Sequence, residues 1–154
     1  MLAIPLVNGY QTTYFEDLRE GMSGEYRRFV TQRDIDLFAE LTGDRNPVHI
    51  DEEYAQNTVF KGRIAHGILT ASFISTVLGT RMPGPGCIYI SQSLKFKSAM
   101  RAGDEVVATA KVLELYPSKY QASFDTVCMV GSRVLVDGKA IIKVPSREKQ
   151  QTIK

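Results

Sequence analysis

From His66 to Thr80 the chain reads HGILTASFISTVLGT, fifteen residues without an Asp, Glu, Lys or Arg. A helix on a protein surface keeps a charged or strongly polar face, and this stretch offers none, so it is expected to be a helix buried on all sides. It falls short of the roughly 18 apolar residues that a membrane span requires, and hydroxyl side chains interrupt it. The rest of the chain must therefore enclose it.

The enclosing material follows directly. MPGPGC (82–87) is turn chemistry, and after it the pattern changes to a period of two. In 88–97, Ile88, Ile90, Gln92, Leu94 and Phe96 alternate with Tyr89, Ser91, Ser93, Lys95 and Lys97, predicting one strand with two distinct faces. Further strands are predicted over 105–115 and 119–130, the latter with Tyr120, Ala122, Phe124, Thr126, Cys128 and Val130 in phase. In 133–144 the pair Asp137-Gly138 resembles a hairpin turn. A turn there would mix polar and apolar residues on one face, whereas a continuous strand keeps Val134, Val136, Ala140, Ile142 and Val144 together. One long strand is expected, bulged at Gly138, with the reversal placed at Gly131-Ser132. Residues 22–30 supply a first strand. A buried helix followed by mostly antiparallel strands predicts an α+β fold whose sheet curls around that helix. Such a sheet leaves open edges, so a homodimer that extends it is expected.

The length of 154 residues fits one domain, with its core over about 14–146 and a loose tail over 147–154. Nineteen basic and 17 acidic residues leave a net charge of +2. With no basic block or aromatic-interleaved cationic stripe, nucleic acid is not an expected partner. Cys87 and Cys128 form neither a disulfide framework nor a metal-ligand spacing. The N-terminus lacks the basic region of a signal peptide. A cytoplasmic protein with no membrane association is the expectation.

Chemistry concentrates in GDRNPVHID (43–51), which holds one of the two histidines of the chain. Thr31, with Asp34 three positions on, caps a helix over QRDIDLFAELT, and Gly43 ends it. Pro47 prevents the helix from continuing and pushes Asn46 towards an extended conformation. Asp51 caps a second short helix. Asp44 and His49 are thus expected to flank a non-helical crossing and to point at one spot, where a carboxylate and an imidazole can share a water as an acid/base pair. The second histidine, His66, is expected to support the start of the buried helix. Gly67, next to it, leaves a backbone N–H with nothing in front of it, a donor for an oxyanion. Ser72, Ser75 and Gln92 are polar groups on otherwise apolar faces. Asp44, His49, Asp51 and His66 match no metal-ligand spacing, so no metal is expected.

These residues together resemble the MaoC-like (R)-specific enoyl-CoA hydratases, a hot-dog-fold group. FAELTGDRNPVHID (38–51), FKGRIAHGILTASFISTVLGTRMPGPG (60–86) and IYISQSLKFKSAMRAGDEV (88–106) carry the match. The hydratase motif D-x-N-P-x-H falls on Asp44, Asn46, Pro47 and His49, and the helix-start H-G on His66 and Gly67. The helix serine of the family falls on Ser75. The resemblance implies reversible hydration of trans-2-enoyl-CoA to (R)-3-hydroxyacyl-CoA without a cofactor. Asp44 and His49 would activate the water, Gly67 would polarise the thioester carbonyl and Asn46 would orient the pair. Gln92 and Arg63 are further candidates for substrate contact, Arg63 by its charge. Two other readings are a hot-dog acyl-CoA thioesterase and a non-catalytic acyl-CoA binding module. The absence of Asp and Glu from 67–80 opposes the first, and the presence of both acid/base residues opposes the second.

Overall fold

The computed structural model describes residues 9–151. The uncharged run is a helix from Gly67 to Thr80. Preceding it are strand β1 (Ser23–Phe29) and helices α1 (Gln32–Thr42), α2 (Pro47–Ile50) and α3 (Glu52–Gln56), which makes the uncharged helix α4. After α4 come β2 (Ile88–Gln92), β3 (Lys95–Phe96), β4 (Glu105–Tyr116), β5 (Gln121–Val130), β6 (Arg133–Lys143) and a short α5 (Arg147–Gln151). The strands form one antiparallel sheet in the order β1-β4-β5-β6-β2, with β3 also on β6.

The core lies between α4 and one face of this sheet. Leu69, Phe73, Ile74, Val77 and Leu78 form the buried stripe of the helix. Val106, Ala108, Ala110 and Val112 of β4, Ala122 and Phe124 of β5, and Ala140 and Ile142 of β6 answer it from the sheet. Alanines at the centre of the sheet let the helix lie close, while longer side chains at the ends fill the space between layers. The Cys128 thiol donates to the Thr70 carbonyl at 3.3 Å, one polar contact inside this layer. Among the described residues the opposite face of α4 is only partly covered, so the helix is not buried on all sides as expected: Ile68 is 57% exposed, and Ser75 is exposed two turns further on.

Several expectations need correction. The predicted strand over 88–97 is two strands, with a bulge between Tyr89 and Ser91 and a break at Ser93 and Leu94. Ile88, Ile90 and Phe96 are exposed while Leu94 is partly buried, so the single face expected from alternation does not exist. The break is produced by β6. Ser93 N donates to the Lys139 carbonyl at 2.9 Å, and Lys139 N donates to Ser93 Oγ at 3.0 Å. These bonds bring the Ser93 backbone onto Gly138.

β6 is one continuous strand with Gly138 paired to Thr126, so no hairpin forms at Asp137-Gly138. The bulge is not at Gly138 but opposite Cys128 and Met129, and it places both Leu135 and Val136 inside while Val134 is half-buried. Gly138 serves close approach instead: a Cβ there would lie 1.8 Å from the Ser93 carbonyl oxygen. The tail also differs from expectation. Residues 147–151 are helical, with the Arg147 guanidinium paired to Asp17 and lying 4.6 Å from the Tyr14 ring centroid.

Gly138→Ala should destabilise the fold by about 3 kcal/mol, because the obstruction is backbone and cannot rotate away. Urea unfolding monitored by circular dichroism should show the midpoint falling with little change in slope.

Candidate active site

The site begins where α1 ends. Thr31 and Asp34 form the expected capping box, and Gly43 ends the helix at φ +78°, a conformation that suits glycine. The next residues build their own scaffold. The Asn46 N–H donates to Asp44 Oδ1 at 3.2 Å, and Asn46 Oδ1 accepts from the Val48 N–H at 3.3 Å. With Pro47 in the first helical position, this cap starts a new turn, α2. The predicted non-helical crossing is therefore only residues 43–46, and His49 sits on a helical turn rather than on a loop. Asp51 caps α3 by accepting the Tyr54 N–H at 3.0 Å.

Residues 64–67 meet this segment from the other side. His49 Nδ1 lies 2.8 Å from the Ile64 carbonyl oxygen, and His66 Nε2 lies 2.9 Å from the Asp44 carbonyl oxygen. A carbonyl only accepts, so each of these nitrogens carries the hydrogen. In the neutral form of each ring the opposite nitrogens, His49 Nε2 and His66 Nδ1, are bare lone pairs. The two rings stack with centroids 3.8 Å apart and planes inclined by 31°, and the Phe38 ring also packs against His66, with centroids 4.8 Å apart. His49 is 8% exposed and His66 2%. Asp44 is exposed. One side-chain ligand atom from each of Asp44, His49 and His66 falls within 4.8 Å of the others.

Burial is the largest influence on His49 and lowers its pKa below the ordinary histidine value. Donation to Ile64 opposes the shift, the neighbouring His66 adds to it, and Asp44 works against it. At neutral pH His49 is therefore an uncharged imidazole with an open Nε2.

This donor set is poorly shaped for a metal. Two imidazoles on one tetrahedral ion, with nitrogens about 2.0–2.1 Å from it, hold their centroids about 5 Å apart. Rings stacked at 3.8 Å are too close for that geometry. Asp51, the fourth residue weighed, is engaged in its helix cap.

Gly67 opens α4, and the helix start has no side-chain cap. The first-turn N–H groups are thus left for a ligand. They border a cleft of about 240 Å³ lined by Phe60, Gly67, Thr70, Phe96, Met100 and Leu135 among others. A Cβ at position 67 would lie 2.8 Å from Phe96 Cδ1, so the glycine accommodates the aromatic ring beside its amide.

The structure brings Asp44, Asn46, His49 and His66 together, with Gly67 next to His66 in the chain and on the neighbouring cleft, while three other candidates lie elsewhere. Ser75 lies on the partly covered face of α4. Gln92 donates to Thr126 Oγ1 at 2.9 Å and to the Ser93 carbonyl at 2.8 Å, and it accepts from Tyr89 Oη at 2.5 Å. Arg63 pairs with Glu52 at 3.1 Å. None of the three lines the cleft beside Gly67. Sequence reasoning missed the Ile64 carbonyl and the Phe96 ring. A main-chain acceptor carries no residue-type signal, and Phe96 read as an ordinary strand residue.

A sheet curled over one central helix, with an Asp and two His side chains clustered at the start of that helix, is the architecture of a hot-dog fold. The chain belongs to the MaoC-like family, whose domain model, "MaoC like domain", matches residues 16–136. It is 54% identical to an (R)-specific enoyl-CoA hydratase of Rhodospirillum rubrum, over 87% of this chain and 93% of that protein. A 3-hydroxybutyryl-CoA dehydratase of Methylorubrum extorquens is 48% identical, over 88% and 86% of the two chains. Among solved structures, the unliganded R-hydratase of Pseudomonas aeruginosa superposes with a TM-score of 0.82 at 40% identity, covering 87% of this chain and 86% of that one.

The lowered His49 pKa has a consequence for stability. Between that value and the unfolded value of about 6.5, the unfolded chain binds the proton that the folded chain refuses. Stability should therefore rise with pH across this window and level off above it. Urea unfolding from pH 5 to 7.5 should show the rise, and His49→Phe should flatten it.

Proposed function

We propose that this chain is an (R)-specific enoyl-CoA hydratase, a hydro-lyase that adds water reversibly to trans-2-enoyl-CoA. The observation that carries the catalytic assignment is an exposed Asp44 carboxylate beside a neutral His49 whose Nδ1 is held by Ile64, one ligand atom of each lying within 4.8 Å of the other. One water donating two hydrogen bonds of about 2.8 Å spans such a gap. The water oxygen attacks C3 as one acceptor takes its proton, and the C2=C3 electron pair moves to form the enolate of the thioester. The Gly67 N–H, at the positive end of α4, holds the enolate oxygen. The enolate then takes a proton at C2. The acceptor that took the proton of the water is regenerated when a proton is delivered to C2, so a net H and OH add across the double bond.

Asn46 supports the pair by fixing the Asp44 carboxylate from its own amide. His66 supports it from the helix start. Ser75, Gln92 and Arg63 do not touch this centre. Ser75 is available to a substrate or subunit covering the open face of α4. No helix among the described residues is long and apolar enough to cross a membrane. Two free cysteines, Cys87 and Cys128, support a cytoplasmic setting. A homodimer is supported by the partly covered face of α4 and by β2, an edge strand with Ile88 55% and Ile90 50% exposed.

Purified protein should abolish the enoyl-thioester absorbance of crotonyl-CoA and give a product that an (S)-specific 3-hydroxyacyl-CoA dehydrogenase rejects. Appearance of free thiol would instead indicate a thioesterase. Asp44→Asn and His49→Ala should each reduce kcat by about 10²–10⁴ with unchanged circular dichroism. Near-native turnover in either would remove the acid/base assignment. Sedimentation equilibrium should return twice the chain mass, and Ile90→Asp should shift the equilibrium towards monomer.

A further inference from the structure

His66 Nδ1 is the only buried side-chain nitrogen or oxygen among the described residues without a hydrogen-bond partner. An unsatisfied polar atom of this kind costs stability. A phenylalanine would fill the same space against Phe38 and His49 without that cost. The imidazole must therefore do something a plain ring does not.

Its contacts identify the task. The Nε2–H group holds the main-chain carbonyl of Asp44, and the ring face supports His49. The Asp44 carboxylate is already tied to its own turn through Asn46 N–H, so fixing the backbone at 44 also fixes the carboxylate. His49 is tied to the same short segment through Ile64. Residues 64–66 thus reach both members of the pair, and His66 is the side chain that touches both.

We propose that His66 is a positioning residue, held as the Nε2–H tautomer with Nδ1 bare, that sets the spacing of Asp44 and His49. Its part is to act through those two groups rather than on the water or substrate itself. The inference rests on the hydratase reading of those two residues.

Two substitutions separate its functions. His66→Phe keeps a ring against Phe38 and His49 but lacks the donor to Asp44. His66→Gln restores an N–H at the reach of Nε2 and gives up the stack. An error of about 1 Å in the placement of a catalytic group costs on the order of 10²-fold in rate. His66→Phe should therefore lose about 10²-fold in kcat with KM held within about threefold. Its thermal midpoint should be unchanged or raised, because the orphaned Nδ1 is gone and Asp44 is an exposed residue whose carbonyl can turn to water. His66→Gln should recover part of the kcat. Wild-type kcat in His66→Phe, alongside inactive Asp44→Asn and His49→Ala, would overturn the proposal and leave the acid/base assignment standing. A kcat loss matched by a lowered thermal midpoint in both His66 variants would also overturn it, as a purely structural role. A third readout needs no variant to fold and no turnover. The chain has only two histidines, so ¹⁵N imidazole spectra of the wild-type protein at pH 7.5 report each tautomer. Hydrogen at Nε2 and a bare Nδ1 on His66 support the proposal, and hydrogen at Nδ1 overturns it.

Discussion

An α-helix with no charged residue along its length has to be taken out of water, and most of this chain is arranged to do that. Burying the Leu69–Leu78 stripe of α4 draws in the inner faces of β4, β5 and β6. A twisted sheet closes over one helix by curling, and its two edges are then left at β1 and β2. The helix ends are the places where this enclosure must open. The start of α4 is such a place, and its first-turn amides have no side-chain cap. The cleft there is a by-product of packing a helix whose own sequence supplies nothing to satisfy its N-terminus.

The chain reaches α4 through residues 64–67, and these few residues organise the chemistry. Ile64 offers its carbonyl to His49, His66 reaches the Asp44 carbonyl and stacks on His49, and Gly67 presents its amide. The proposed acid/base pair and oxyanion donor thus share one reference, the start of α4. Placement of this kind matters because reactive groups held in alignment avoid the entropy loss of assembling them at each turnover. Burial makes the pair selective as well: it keeps His49 uncharged, so its open nitrogen can accept a proton at neutral pH.

Much of this was legible beforehand, and the failures share a cause. The capping box, the stop at Gly43, the cap at Asp51 and the limits of α4 depend on neighbours in sequence, and each is found where expected. Asp44, His49 and Gly67 could be singled out because a proline bend and a glycine at a helix start are local signals. What failed were statements that depend on a second strand. Gly138 reads from sequence as a turn or a bulge, and its real function is to make room for Ser93 O. Alternation over 88–97 promised one continuous face, but two hydrogen bonds to Lys139 break the strand. Gln92 reads from sequence as a lone polar group on an apolar face, and its partner Thr126 lies thirty-four residues away.

The sequence by itself determined that an apolar helix would pack against a mostly antiparallel sheet, and that an Asp, a His and a glycine amide would lie near its start. Those outcomes follow from periodicity, charge and the fixed φ of proline, all encoded within a few positions. Only the tertiary structure decided how the pair is held: which nitrogen of each histidine carries hydrogen, that the rings stack at 3.8 Å, and that Ile64 O and Asp44 O are the acceptors. Main-chain carbonyls are the same in every residue. Which one meets a given imidazole is settled by packing between segments far apart in the chain.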